Sequence, residues 1–215
     1  MVEHVLAALF ALKIDNVHVH CTSCEMPGMD GSSHAYALAL QEAGRRSQPF
    51  TKDVYVIRDS LRFGNETQWI SAEPTSTDSL NIEYILDYGP TSSIGRGSFA
   101  SEVSEEVFLR DLAEARTFLT LAEAQALQSK GLAQHVTHRD LLVFGDAGPI
   151  DNVLRFADEC PRHKALDLLG DLALAGVDLV GKITAHRSGH QLNGRLAETI
   201  RQSFVHSREA LRHVA

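Results

Sequence analysis

The chain has 215 residues, 44% of them hydrophobic and 22% charged, with a formal net charge of −8. That length suits one large or two small globular domains, and the negative balance argues against nucleic acid as a partner. Three cysteines without a framework spacing, and no apolar run near the ~20 residues of a bilayer span, give the expectation of a soluble cytoplasmic protein with no signal peptide and no transmembrane segment. In chain order, "VEHVLAALFALKI" repeats apolar residues at helical spacing (Val5, Leu6, Leu9, Leu12) and predicts a first helix. "NVHVHC" alternates, which predicts a half-buried strand with Val17, Val19 and Cys21 facing the core and His18 and His20 turned away. "EMPGMDGSS" is turn chemistry through Pro27, Gly28, Asp30 and Gly31, and "SSHAYALALQEAG" is a short helix stopped at Gly44. The break "RRSQPF" is the candidate linker, dividing residues 1–47 from 48–215.

Beyond the linker, "DVYVIRDSLRF", "QWISAEP" and "LNIEYILDY" read as the meander of an antiparallel sheet. "SEEVFLRDLAEARTFLTLAEAQALQSKG" reads as helical, with Ser104 as its cap and Gly131 as its stop. "DLLVFG" is a strand and "AGPIDN" a turn. In "RHKALDLLGDLALAG" a helix is expected, Pro161 suiting its first turn and Gly176 its end. "VDLVGKITAHRSGHQLNGRLAETIRQSF" then gives a strand, a glycine-marked loop and a final helix. Strand-rich and helix-rich stretches alternate twice over, so the fold class is α+β rather than regular βαβ.

One helix does not read as ordinary core. Leu166, Leu168, Leu169, Leu172 and Leu174 surround a stripe of His163, Asp167 and Asp171, four residues apart each time. Residues at that spacing sit on one helix face, one turn above another. Burying even a neutral polar group without a partner costs about 2–7 kcal/mol, so something must compensate an imidazole and two carboxylates. A divalent metal does so, since neutral imidazole and carboxylate are ordinary zinc ligands and a catalytic zinc takes three protein ligands. The competing reading is a surface pair or capping network on an amphipathic helix. The Glu3-His4 pair opening an apolar helix, and the Ser188-Gly189-His190 run in a glycine loop, weigh toward a site.

Taken together, "VEHVLAAL", "IDNVHV", "EMPGMDGSS", "ARTF", "SKGLA", "LRFADE", "RHKALDLLGDLALAG" and "AHRSGHQLN" resemble, in this order, the zinc-dependent UDP-3-O-acyl-N-acetylglucosamine deacetylases of lipid A synthesis. The resemblance covers essentially the whole chain. It implies two layered α+β sandwich domains with the active site between them. It also implies a leading segment before Glu3-His4, so that residues 1–47 would be the remnant of an incomplete first domain and residues 48–215 the second. It assigns zinc to His4, His163 and Asp167, the general base to Glu3, the general acid to His190, and the carboxylate holding that acid to Asp171. Thr117 would assist the oxyanion, Phe118 would line the substrate site, and Lys164 would contact the sugar-phosphate portion. The implied reaction is hydrolysis of the N-acetyl group of UDP-3-O-acyl-N-acetylglucosamine, the committed step of lipid A biosynthesis. Its rivals are a non-catalytic relative that binds a nucleotide-sugar or a protein partner, and a zinc hydrolase of a different N-acyl substrate. The residues give no reading of oligomeric state.

Three further patterns carry less. Cys21 and Cys24 form a single CxxC beside two histidines, which is weak without a second pair. Cys160 lies three residues before His163 but reads as a cap-region residue. "SIGRGS" lacks the strand–loop–helix context of a phosphate cradle, so a turn is expected. "GLAQHVTHRD" stands where the family tends to have a Gly-Gly-Ser turn, in the insert that forms its acyl-chain passage, and this leaves the acyl preference open.

Overall fold

Residues 1–131, 137 and 140–212 are described by this computed structural model. Its central sheet runs in the order β2 (Leu61–Gly64), β3 (Trp69–Glu73), β9 (Asp178–His186), β4 (Leu80–Asp87) and β5 (Arg96–Glu102), and β1 (Val54–Val56) also pairs with β9. A second, three-stranded sheet is built from β6 (Phe118–Thr120), β7 (Leu142–Gly145) and β8 (Gly148–Pro149). The helices are α1 (Glu3–Ala11), α2 (His34–Ala43), the single turn α3 (Glu105–Val107), α4 (Leu121–Ser129), α5 (Glu159–Leu172) and α6 (His190–Arg212). The class is therefore α+β, with two sheets among the described residues. Among the described residues, no helix is long and apolar enough to cross a membrane.

The core follows from period-2 and period-3.6 patterning. Along β4, Leu80, Ile82, Tyr84 and Leu86 are buried while the residues between them are half-buried. Along β9, Leu179, Ile183 and Ala185 face the same interior. Helix α5 lies on this face of the sheet, with α1 and α6 against it. Leu166, Leu168, Leu169 and Leu172 are fully buried, and Leu174, beyond the helix end, turns outward. Gly176 closes the segment in the left-handed region at φ 72°, as a helix-ending glycine does.

Four expectations are corrected. "NVHVHC" forms no strand: Val17 and Val19 are 43% and 48% exposed, and Cys21 is exposed with its thiol donating to the Glu25 carbonyl. Alternation makes a strand only where a neighbouring edge accepts its hydrogen bonds, and none pairs with this stretch among the described residues. The sheet is not a plain antiparallel meander either. β9, from late in the chain, inserts between β3 and β4, antiparallel to the first and parallel to the second. The second half of "SIGRGS", expected as a turn, is not one: Arg96–Ser98 open strand β5, paired along its length with β4.

The stretch 104–130 is not one helix. Ser104 caps α3 as expected, but a π-helical turn follows at Phe108–Leu112, then an irregular link, then β6, before α4 starts at a Thr120–Glu123 capping box. The link breaks the helix because its backbone groups have tertiary partners. The Ala113 carbonyl accepts from Ser33, the Thr117 amide donates to Gly31, and Phe118–Thr120 pair in parallel with Leu142–Phe144. Gly131 does stand just past the end of α4, at φ 75°. The "GLAQHVTHRD" stretch lies, in most of its length, outside the described residues.

Candidate active site and metal centre

Helix α5 presents His163, Asp167 and Asp171 along one buried face, and α1 crosses it so that His4 meets them. His4, His163 and Asp167 are each at most 4% exposed. One ligand atom from each comes within 4.8 Å of the others. Asp167 Oδ1 lies 3.7 Å from His4 Nε2 and 3.4 Å from His163 Nε2, too far for hydrogen bonds but suited to donors that share a cation. Two backbone contacts hold the donors. The Ala115 carbonyl is 3.0 Å from His163 Nδ1, which fixes the tautomer with Nε2 unprotonated and aimed at Asp167. Ser33, from "EMPGMDGSS", donates its hydroxyl to the His4 carbonyl at 2.6 Å.

The electrostatics leave His163 and Asp167 in the unprotonated forms that a metal requires. Burial pushes His163 down to about 4, so its imidazole is neutral at pH 7 and ready to ligate. Burial also raises Asp167, but His163 and Lys164 outweigh it and hold the carboxyl below the usual carboxylate range. Lys164 Nζ takes Asp167 Oδ2 at 2.6 Å. The other oxygen, Oδ1, is buried with no hydrogen-bond partner, as is His4 Nδ1. An unpartnered carboxylate oxygen facing two imidazoles is a donor set that a shared cation would satisfy. The residues fit a divalent metal of borderline hardness.

Around these donors, Glu3, Thr117, Phe118, Lys164 and His190 line one cavity of about 130 Å³ with His4, His163 and Asp167. The structure thus gathers eight of the nine sequence-selected residues at one opening. The ninth, Asp171, stands behind His190 with its carboxylate oxygens 2.9 and 3.1 Å from Nδ1. That hydrogen bond raises the His190 pKa above its ordinary value, even though partial burial opposes it. Thr117 is placed differently from its expected role. Its hydroxyl donates to the Gly31 carbonyl at 3.0 Å, so its single proton reaches the cavity only if the side chain rotates.

Several contributors escaped sequence reasoning. Asn193 donates to Asp171 Oδ2 at 2.9 Å, its own carbonyl accepts from the Ser188 hydroxyl, and Tyr84 donates to the Ser188 carbonyl. This chain fixes Asp171 and hence His190. Ser188 and Asn193 sat in plain view within "SGHQLN" but only their histidine was read. Arg116 and Glu159 form a buried pair that ties the 115–117 link to the start of α5. Glu159 one turn before His163 was a legible signal. Tyr84, Tyr88, Arg96 and Arg187 share with Lys164 a larger neighbouring cavity of about 510 Å³. Cys21 and Cys24 are exposed free thiols and do not enter the metal group, and burial raises the Cys160 thiol to about 12.

The profile of the LpxC family, described as UDP-3-O-acyl N-acetylglycosamine deacetylase, matches residues 1–202. A UDP-3-O-acyl-N-acetylglucosamine deacetylase from Oleidesulfovibrio alaskensis is 38% identical over 200 residues, covering 93% of this chain and 65% of that protein. Proteins of the same name from Syntrophotalea carbinolica and Brucella ovis are 34% and 36% identical, over 99% and 93% of this chain. The chain spans 65%, 70% and 69% of the length of these three relatives.

Proposed function

The chain belongs to the UDP-3-O-acyl N-acetylglycosamine deacetylase family, and from that premise we propose that it hydrolyses the N-acetyl amide of UDP-3-O-acyl-N-acetylglucosamine, the committed step of lipid A biosynthesis, using zinc. One observation carries this reading. Three buried donors converge with an unpartnered Asp167 oxygen among them, and a carboxylate-held imidazole lines the same cavity.

His4, His163 and Asp167 would hold the metal. When bound, it would supply Lewis-acid polarisation of the amide carbonyl and activation of water at neutral pH. Glu3 then accepts the proton of the attacking water. His190, whose protonated form Asp171 favours, delivers a proton to the departing nitrogen, so that acetate leaves and a free 2-amine remains. Thr117 turns its hydroxyl from Gly31 to the developing oxyanion, and Phe118, edge-on to His163 with ring centroids 6.2 Å apart, shapes the wall. Lys164 lies at the junction of the two cavities. With Arg187 and the Arg96–Asp87 pair in the larger one, it offers cationic donors that a diphosphate would engage in competition with Asp87 and Glu123.

We read residues 1–47 and 48–215 as parts of two layered domains meeting at this site, because Glu3 and His4 come from the first stretch and all other site residues from the second. Three unpaired cysteines support a cytoplasmic location. Acetate release from the authentic substrate tests the function: turnover that disappears in His163→Ala together with the metal supports it, and turnover that survives metal loss overturns it.

A further inference from the structure

We propose that Gly170 is a positioning residue: the space left by its missing side chain seats the first turn of α1 and sets Glu3 and His4 against the donors of α5. This rests on the metal reading above. A Cβ at position 170 would lie 2.8 Å from the Glu3 carbonyl carbon and 2.9 Å from its Cα, and closer still to its carbonyl oxygen. All three are backbone atoms, so no side-chain rotation relieves the overlap. Restoring ordinary contact, about 3.5–4.0 Å between carbons, needs a shift on the order of 1 Å.

The glycine is not there for its own backbone. Gly170 is absent from the positive-φ positions of the chain and sits inside α5, where helix propensity favours alanine. Local propensity and tertiary contact therefore make opposite demands at this one residue. The rest of α1 is built for packing on α5. Ala7, Ala8 and Ala11 of α1 are at most 1% exposed, a low-profile face suited to near approach. On the other side, the Ser33 hydroxyl grips the His4 carbonyl. α1 is thus pinned between Ser33 and α5, and displacing Glu3 displaces the adjacent His4. Since His163 and Asp167 ride on α5 itself, the movement separates the third donor and the base from the other two.

The test compares wild type with Gly170→Ala and, as a packing control, Ile200→Ala in the buried face of α6, which packs mainly on α5, β2, β3 and the turn at 173–175 rather than on α1. Metal-free proteins are titrated with Co²⁺, following affinity and the visible d–d spectrum, and amide hydrogen exchange of α1 is measured without metal. Gly170→Ala should bind Co²⁺ about 10–100-fold more weakly, the usual cost of a disturbed ligand support, with an altered spectrum and faster exchange in α1. Ile200→Ala should lower the melting temperature while keeping wild-type affinity and spectrum. Wild-type affinity, spectrum and α1 exchange in Gly170→Ala would overturn the proposal. Should Gly170→Ala not fold, nuclear Overhauser contacts between the Gly170 and Glu3 α-protons of the wild type decide, and their absence overturns it. If wild type itself binds no Co²⁺, the metal reading fails, whereas the exchange and proton-contact data still judge Gly170.

Discussion

Replacing Arg116 by Met isolates the support behind the proposed metal centre. Its guanidinium reaches Glu159 at 2.8 and 3.1 Å, Asn152 at 2.9 Å and the Val153 carbonyl at 2.7 Å. Arg116 is 5% exposed and Glu159 fully buried. Methionine keeps the apolar stem and removes the charge, leaving the Glu159 carboxylate inside the protein with only the amides of Arg116 and Arg155, at 3.1 and 2.6 Å. Removing one partner of a buried pair costs about 3–5 kcal/mol. At about 2–4 °C per kcal/mol for a chain of this size, the melting temperature should fall by roughly 6–20 °C. The neighbouring Ala115 carbonyl orients His163, so metal affinity should weaken about 10–100-fold as well. Urea unfolding with an unchanged slope reads the first quantity and metal titration the second. The double variant Arg116→Met, Glu159→Met should regain most of the lost stability, because an apolar replacement of the whole pair is often neutral. A single variant within about 1 kcal/mol of wild type, the scale of an exposed ion pair, would refute the reasoning.

Other outcomes follow from the same geometry. His163→Ala should lose nearly all bound metal by elemental analysis, since two remaining donors do not make a three-ligand site. His190→Ala should retain its metal and lose about 10²–10⁴-fold in kcat/KM. Asp171→Asn removes the bond that raises the His190 pKa, so the alkaline limb of the kcat/KM profile should move to lower pH. An unmoved limb would show that another group gives the proton. The sign for stability is fixed too: the His190–Asp171 contribution is complete below about 6.5, the ordinary histidine value, and is lost as pH rises through the raised one.

How far the sequence spoke depended on whether a residue's partner was local. The α5 stripe, the Pro161 start and the Gly176 stop were legible because the helical period and end chemistry are written in consecutive residues. The strands of "LNIEYILDY" and "VDLVGKITAH" were legible for the same reason, but not that one lies beside the other in parallel. That pairing joins residues a hundred positions apart. The 113–120 link was misread because its favourable helical residues are overridden by bonds to Ser33, Gly31 and β7. "NVHVHC" failed oppositely, with a strand pattern and no pairing neighbour among the described residues. Residue roles at the site came from the family resemblance. The partners of that site's supports needed the fold: Glu159 and Asn193 stood within a turn of selected histidines, but their contacts with Arg116 and Asp171, like that of Ser33 with His4, join distant residues.

Acetate release measured against metal occupancy bears most directly on the central claim. The chain is stripped with a chelator, reloaded with graded zinc, and assayed on UDP-3-O-acyl-N-acetylglucosamine. Release should be absent in the stripped protein and rise in proportion to bound zinc up to about one ion per chain, as a single three-ligand centre requires. Release that is undiminished after stripping, or absent at full occupancy, would contradict the account.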